Sequence, residues 1–139
     1  MLLLDTAQGM TLRERVRQAE RFDADIFVSV HANAGRNANA RGTEVFFFTH
    51  FSHVLAATAS RNVSQGLNTT NRGARRARFA VTLSPQFLSI LVEAGFMTNR
   101  QEYEKLINPS YQRAIAIGIA DAIEVTVNHS YPGSGRVMR

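Results

Sequence analysis

The run Asp25-Ile26-Phe27-Val28-Ser29-Val30 sets four β-branched or aromatic residues in six positions, the composition that suits a pleated, half-buried strand. Just upstream, Thr11-Leu12-Arg13-Glu14 has the form of a capping box, with Thr11 as N-cap and Glu14 three residues on. Leu12, Val16, Ala19 and Phe22 then fall on one helical face. Downstream, Asn33 to Arg41 is rich in Asn, Ala and Gly and reads as a loop. Thr43 to Thr49 (TEVFFFT) is a second strand, and Val54 to Leu67 has helical spacing. Asn68 to Arg78 is polar and basic, contains Gly73, and is predicted to be a long exposed loop. Phe87 to Glu93 (FLSILVE) is a third strand, almost wholly apolar, and such strands belong in a sheet covered on both faces. Arg100 to Ile107 is a short helix, and Pro109 sits at the first turn of a last helix to about Val125. Leu2 to Leu4 reads as a short strand at the start, and the tail from Asn128, with Pro, Gly and Ser, as mobile.

Strands alternating with helices give an α/β domain with a mainly parallel or mixed central sheet and helices on both faces. The expected domain runs over residues 1–127, with a flexible tail at 128–139. The chain has 139 residues and 45% hydrophobic composition, enough to bury roughly two-thirds of the unfolded surface in one core. Its formal charge of +5 comes from 16 Lys and Arg against 11 Asp and Glu, a balance that favours anionic partners without choosing among them. There is no cysteine, which excludes disulfides and thiolate metal sites. The opening Met1-Leu2-Leu3-Leu4-Asp5 turns acidic too early for a signal peptide. No apolar run reaches the ~20 residues of a membrane span.

Ligands in open α/β sheets bind beyond the carboxyl ends of the strands. Two polar residues stand there: His31 directly after DIFVSV, and Glu93 at the end of FLSILV. An imidazole so placed can meet a metal, and a carboxylate on a neighbouring strand can act as general base toward an activated water. Each also has a plain structural reading, a hydrogen-bonded histidine and a loop anchor. Periodicity and position alone therefore stop at an α/β domain with hydrolase-like residues.

The local sequences go further. Ala24-Asp25-Ile26-Phe27-Val28-Ser29-Val30-His31-Ala32-Asn33-Ala34 resembles the A-D-[LI]-F-[VI]-S-[IL]-H-A-N-A segment of the zinc-dependent N-acetylmuramoyl-L-alanine amidases called Amidase_3. Gly42-Thr43-Glu44-Val45-Phe46 resembles their G-x-E-x-[YF] strand, Arg72-Gly73 their basic-Gly step, and Leu91 to Asn99 their L-V-E-x-G-F-[LM]-[ST]-N segment. Asp5-Thr6, Thr11 to Arg15, Glu102 to Leu106 and the last helix match in order, so the resemblance spans about residues 2–125.

The resemblance implies that His31 is a zinc ligand and Glu93 the catalytic carboxylate. In that family zinc has three protein ligands, two His and one Glu, with water at the open position. Glu93 would take the water's proton and pass it to the leaving amine. Peptidoglycan is the implied partner, the amide between N-acetylmuramic acid and L-alanine the implied bond. Asn33, Asn99 and Arg75 are the candidate substrate contacts, with loop capping an equal reading of the two asparagines and a solvated basic loop the plain reading of the arginine run. The implied place is the periplasm or extracellular cell envelope, or the cytoplasmic side for a phage-type lysin.

The family's first strand, its D-P-G-H-G-G-like loop with the first His, and the Glu that follows have no counterpart in this sequence. The expectation is a domain lacking its N-terminal strand: a fragment completed by a missing segment, a misassigned gene start, or a decayed relative. An activator protein is a further expected partner, and an inactive peptidoglycan-binding module the alternative function. The run Arg72-Gly73-Ala74-Arg75-Arg76-Ala77-Arg78 lacks the stacking aromatics of nucleic-acid platforms, so a nucleic-acid-binding domain ranks last and no nucleic acid is expected. His50 and His53 form H-x-x-H, but the resembling family has no ligand there. Glu44 is read as structural or as a cleft-edge residue, and His129 as a solvated tail residue.

Overall fold

The computed structural model describes residues 9–130; the strand expected at Leu2 to Leu4 and most of the tail lie outside them. Helix α1 spans Leu12–Arg21. The capping box forms as read: Thr11 Oγ1 accepts the Glu14 amide at 3.3 Å, and the Glu14 carboxylate accepts the Thr11 amide at 2.7 Å. Strand β1 is Ile26–Asn33, β2 Thr43–Phe47 and β3 Asn71–Arg76, with helix α2 (His53–Gly66) between the last two. Strand β4 is Leu88–Phe96, followed by α3 (Arg100–Leu106) and α4 (Pro109–Ser130). The last helix outruns its expected end near Val125 and takes in His129, which lies on its exposed final turn.

The sheet has the order β1-β4-β2-β3. β1 pairs with β4 in parallel, β2 with β3 in parallel, and β2 with β4 antiparallel. The sheet is therefore mixed, and helices cover both faces. On one face Val45, Phe47, Ile90 and Val92 pack against Leu55, Ala56 and Ala59 of α2 and Ala122 of α4. On the other, Phe27, Leu91 and Phe87 pack against Ala19 of α1 and Val81. Gly118 lets α4 lie directly on α2: a Cβ there would come within 2.9 Å of the Val63 backbone.

The segment expected to be a long loop at Asn68 to Arg78 is instead the edge strand β3. Its six residues, NRGARR, carry no apolar alternation, because an edge strand here is held by backbone pairing to β2 while most of its side chains face water. Hydropathy cannot report such a strand. One irregularity shapes it: Thr43 pairs with Asn71 but Glu44 with Gly73, so Arg72 is an extra residue, and Gly73 takes the left-handed φ of 87° that the bulge requires.

Candidate active site

Strands β1 and β4 run on past the ends read from the sequence, so His31 and Glu93 stand inside the strands, near their carboxyl ends. They are register partners in the parallel pair, and Glu93 is in turn the register partner of Glu44 across the antiparallel pair. Registered neighbours project to the same face. One row across three strands thus reads His31, Glu93, Glu44. Glu44 joins it because β2 runs against β4, which brings the start of β2 to the carboxyl ends of β1 and β4. The row lies on the α1 face, one step beyond the apolar packing of Phe27 and Leu91. Just past it the β1–β4 register slips, with Asn33 opposite Phe96, and bulges of this kind commonly re-aim side chains beside active sites.

Burial and charge set the protonation of the row. Glu93 Oε2 is buried and has no hydrogen-bond partner among the described residues. Removal from water, and then the neighbouring Glu44 charge, push its carboxyl up to about 7. The His31 imidazole is pushed below its ordinary value, first by burial and then by the Arg15 guanidinium on α1, so the neutral ring is favoured. Ser29, two residues back on the same face, places its Oγ 2.9 Å from His31 Nε2 and orients the ring. A neutral, oriented imidazole keeps a lone pair for a metal, and the carboxyl beside it can take up and return a proton.

Glu44 is held differently. Its Oε1 accepts from Asn33 Nδ2 at 2.9 Å, and its Oε2 meets Arg72 Nε at 3.2 Å and Arg75 Nε at 3.5 Å. The Arg72 guanidinium also lies over the Phe96 ring at 5.0 Å and donates to the Arg41 carbonyl. Asn33 is therefore brought to the row, through Glu44. Asn99 is the N-cap of α3: its Oδ1 accepts from the Gln101 and Glu102 amides, the cap role that the sequence left open beside substrate contact. That cap presents Glu102, a buried residue with no sequence signal of its function. Glu102 accepts the Gly42 amide at 2.8 Å and the Phe96 amide at 2.7 Å, tying the start of β2 to the end of β4. Arg15 and Ser29 are likewise site residues that the sequence did not single out; only their spacing from His31 on a strand and on a helix face could have marked them.

His50 and His53 sit at the far end of β2, where the His53 ring packs 5.0 Å from Phe47, and do not join the row. Among the described residues no group of three His, Cys, Asp or Glu could hold a metal ion. His31 offers one imidazole donor, and these residues by themselves do not make the three-donor shell of catalytic zinc. No helix among the described residues is long and apolar enough to cross a membrane.

The Bacillus subtilis protein YqiI is 37% identical over 119 residues, covering 83% of this chain and 57% of its own length. The N-acetylmuramoyl-L-alanine amidase LytC of Bacillus subtilis is 34% identical over 115 residues, covering 80% of this chain and 23% of its own. The structure of the N-acetylmuramoyl-L-alanine amidase AmiC2 of Nostoc punctiforme superposes with a TM-score of 0.84 at 35% identity, over 92% of this chain and 72% of that one. The chain thus spans little more than half of YqiI and about a quarter of LytC. The family model described as N-acetylmuramoyl-L-alanine amidase, Amidase_3, matches residues 2–125, and with the fold and the His31–Glu93–Glu44 row in place the chain belongs to that amidase family.

Proposed function

We propose that this chain hydrolyses peptidoglycan at the amide between N-acetylmuramic acid and the L-alanine of the stem peptide, at the cell envelope. The observation that carries the reading is the pairing in register of His31 with Glu93. Glu93, with an unpartnered buried oxygen, takes a proton from the attacking water and returns it to the departing amine of L-alanine. Its carboxyl near 7 suits both halves of that transfer at neutral pH. Zinc is the proposed cofactor, with His31 as one ligand and the other donors outside the described residues. When bound it supplies carbonyl polarisation and a more acidic water. Arg75 touches substrate, whereas Asn33, through Glu44, and Asn99, through the cap of α3, position the groups around it.

Incubating the purified chain with zinc and muropeptides, and following release of stem peptides by mass spectrometry, tests this. Glu93→Ala is expected to abolish release; equal release by wild type and variant would sink the reading. A second reading, a groove that binds peptidoglycan without cutting it, is favoured by the single imidazole donor among the described residues. Zinc titration separates the two, since tight one-to-one binding lost in His31→Ala argues against a binding module.

A further inference from the structure

The arginines of β3 are not distributed as a solvated charge run would be. Arg75 is the register partner of Phe46, and Phe46 faces α1 with Leu91. Arg75 therefore projects to the same face as Glu93 and Glu44. Arg72, the bulge residue, is turned to the same carboxylate. Two guanidiniums against one carboxylate leave this cluster with an uncompensated positive charge. Arg75 binds Glu44 through Nε and its side chain is 56% exposed, whereas that of Glu44 is 7% exposed. Glu44 thus acts as a buried anchor that orients a guanidinium whose planar fork suits a carboxylate.

The distance to Glu93 gives the cluster a ligand. Strands lie about 4.8 Å apart, so β3 is about 10 Å from β4 across the sheet. An extended peptide rises about 3.4 Å per residue. Gly73 is the β3 residue level with Glu44 and Glu93, and Arg75, two residues on, reaches back to Glu44, so a peptide whose first amide sits at Glu93 and which crosses the strands toward β3 brings its second or third residue to that guanidinium. We propose that Arg75 and Arg72, oriented by Glu44, form a subsite for the first free carboxylate of an acidic stem peptide, and so select acidic over amidated stems. This inference rests on the proposed amidase reading for the identity of the peptide.

The probes are the tripeptide L-alanyl-γ-D-glutamyl-L-lysine and the same tripeptide with its glutamyl carboxylate amidated. Binding to the full chain is measured by calorimetry at low salt. The acid peptide is expected to bind wild type at least roughly tenfold more tightly than the amidated one. Arg75→Gln is expected to remove that preference, and Arg75→Lys to restore only part of it. Equal binding of the two peptides by wild type, no binding of either, or a preference unchanged in Arg75→Gln would overturn the subsite. Arg75-dependent binding of a glycerol-phosphate oligomer tighter than that of the acid peptide would also overturn it, in favour of a wall-polymer phosphate. The two proposals fail separately. Glu93-dependent hydrolysis with carboxylate-blind binding removes the subsite and leaves the amidase; Arg75-dependent carboxylate binding without Glu93-dependent hydrolysis does the reverse.

Discussion

Replacing Glu102 with alanine should destabilise the fold more than any other single change to a charged residue described above. The side chain is 5% exposed and accepts three hydrogen bonds: from the Gly42 amide at 2.8 Å, the Phe96 amide at 2.7 Å and Thr69 Oγ1 at 3.3 Å. Truncation leaves two buried backbone N–H groups without an acceptor, each costing about 1–3 kcal/mol. Removing the buried charge offsets part of this, because a buried carboxylate carries its own desolvation penalty. The net expectation is a loss of about 3 kcal/mol, a large share of the 5–15 kcal/mol typical of a domain. At about 3–4 °C per kcal/mol for this size, Tm should fall by roughly 10 °C. Urea unfolding and a thermal scan followed by circular dichroism measure it. Glu104→Ala is the control: Glu104 pairs with Arg100 at 3.2 Å on the exposed side of the same helix, and that pair should contribute almost nothing. Glu102→Gln should lie between the two, since one amide oxygen can serve only one of the N–H groups. If Glu102→Ala unfolds with the control, the carboxylate is not what joins β2 to β4.

Gly118→Ala should cost about 1–3 kcal/mol in urea unfolding, because the new methyl meets the Val63 backbone and outweighs the gain in helix propensity. Thr11→Ala should cost about 1 kcal/mol by the same measurement, through loss of the cap on α1. In the metal-free chain Glu93 holds its proton up to about 7, whereas the unfolded chain releases it near the ordinary value of 4.5. The folded state binds more protons in that window, so this residue's contribution to stability is greatest below 4.5 and is lost as pH rises toward 7. Glu93→Gln should therefore flatten the fall in Tm between those pH values, and a wild-type-like pH profile in the variant would contradict the assignment. His31, shifted downward, acts in the opposite sense, with stability lost as pH falls from its ordinary value of 6.5 toward its lower value in the fold.

Much of the site was legible because its residues sit on elements with strong local signals. DIFVSV and FLSILV are unmistakable strands, and the polar residue after each is where a ligand meets an open sheet. What the sequence did not disclose depends on pairing between distant segments. That β2 runs against β4, and so delivers Glu44 into the row, follows from strand order rather than from any residue near Glu44. The β3 strand was hidden because its arginines face a buried carboxylate and the solvent instead of the core. Asn99 was legible as a residue of interest but not in its role, since the Asn-to-helix spacing suits a cap and a substrate contact equally. Glu102 stood out only as the start of a family-like stretch on a short helix, and only the closure of Gly42 and Phe96 around it reveals its burial.

That closure makes the seven-residue α3 a latch for residues far from it in the chain. Gly42 leads into the strand that carries Glu44, and Phe96 ends the strand that carries Glu93 and supports the Arg72 guanidinium. Fraying of one short helix would release both amides to solvent together and let the two carboxylates drift out of alignment. A segment that touches neither carboxylate thereby decides how often the two line up.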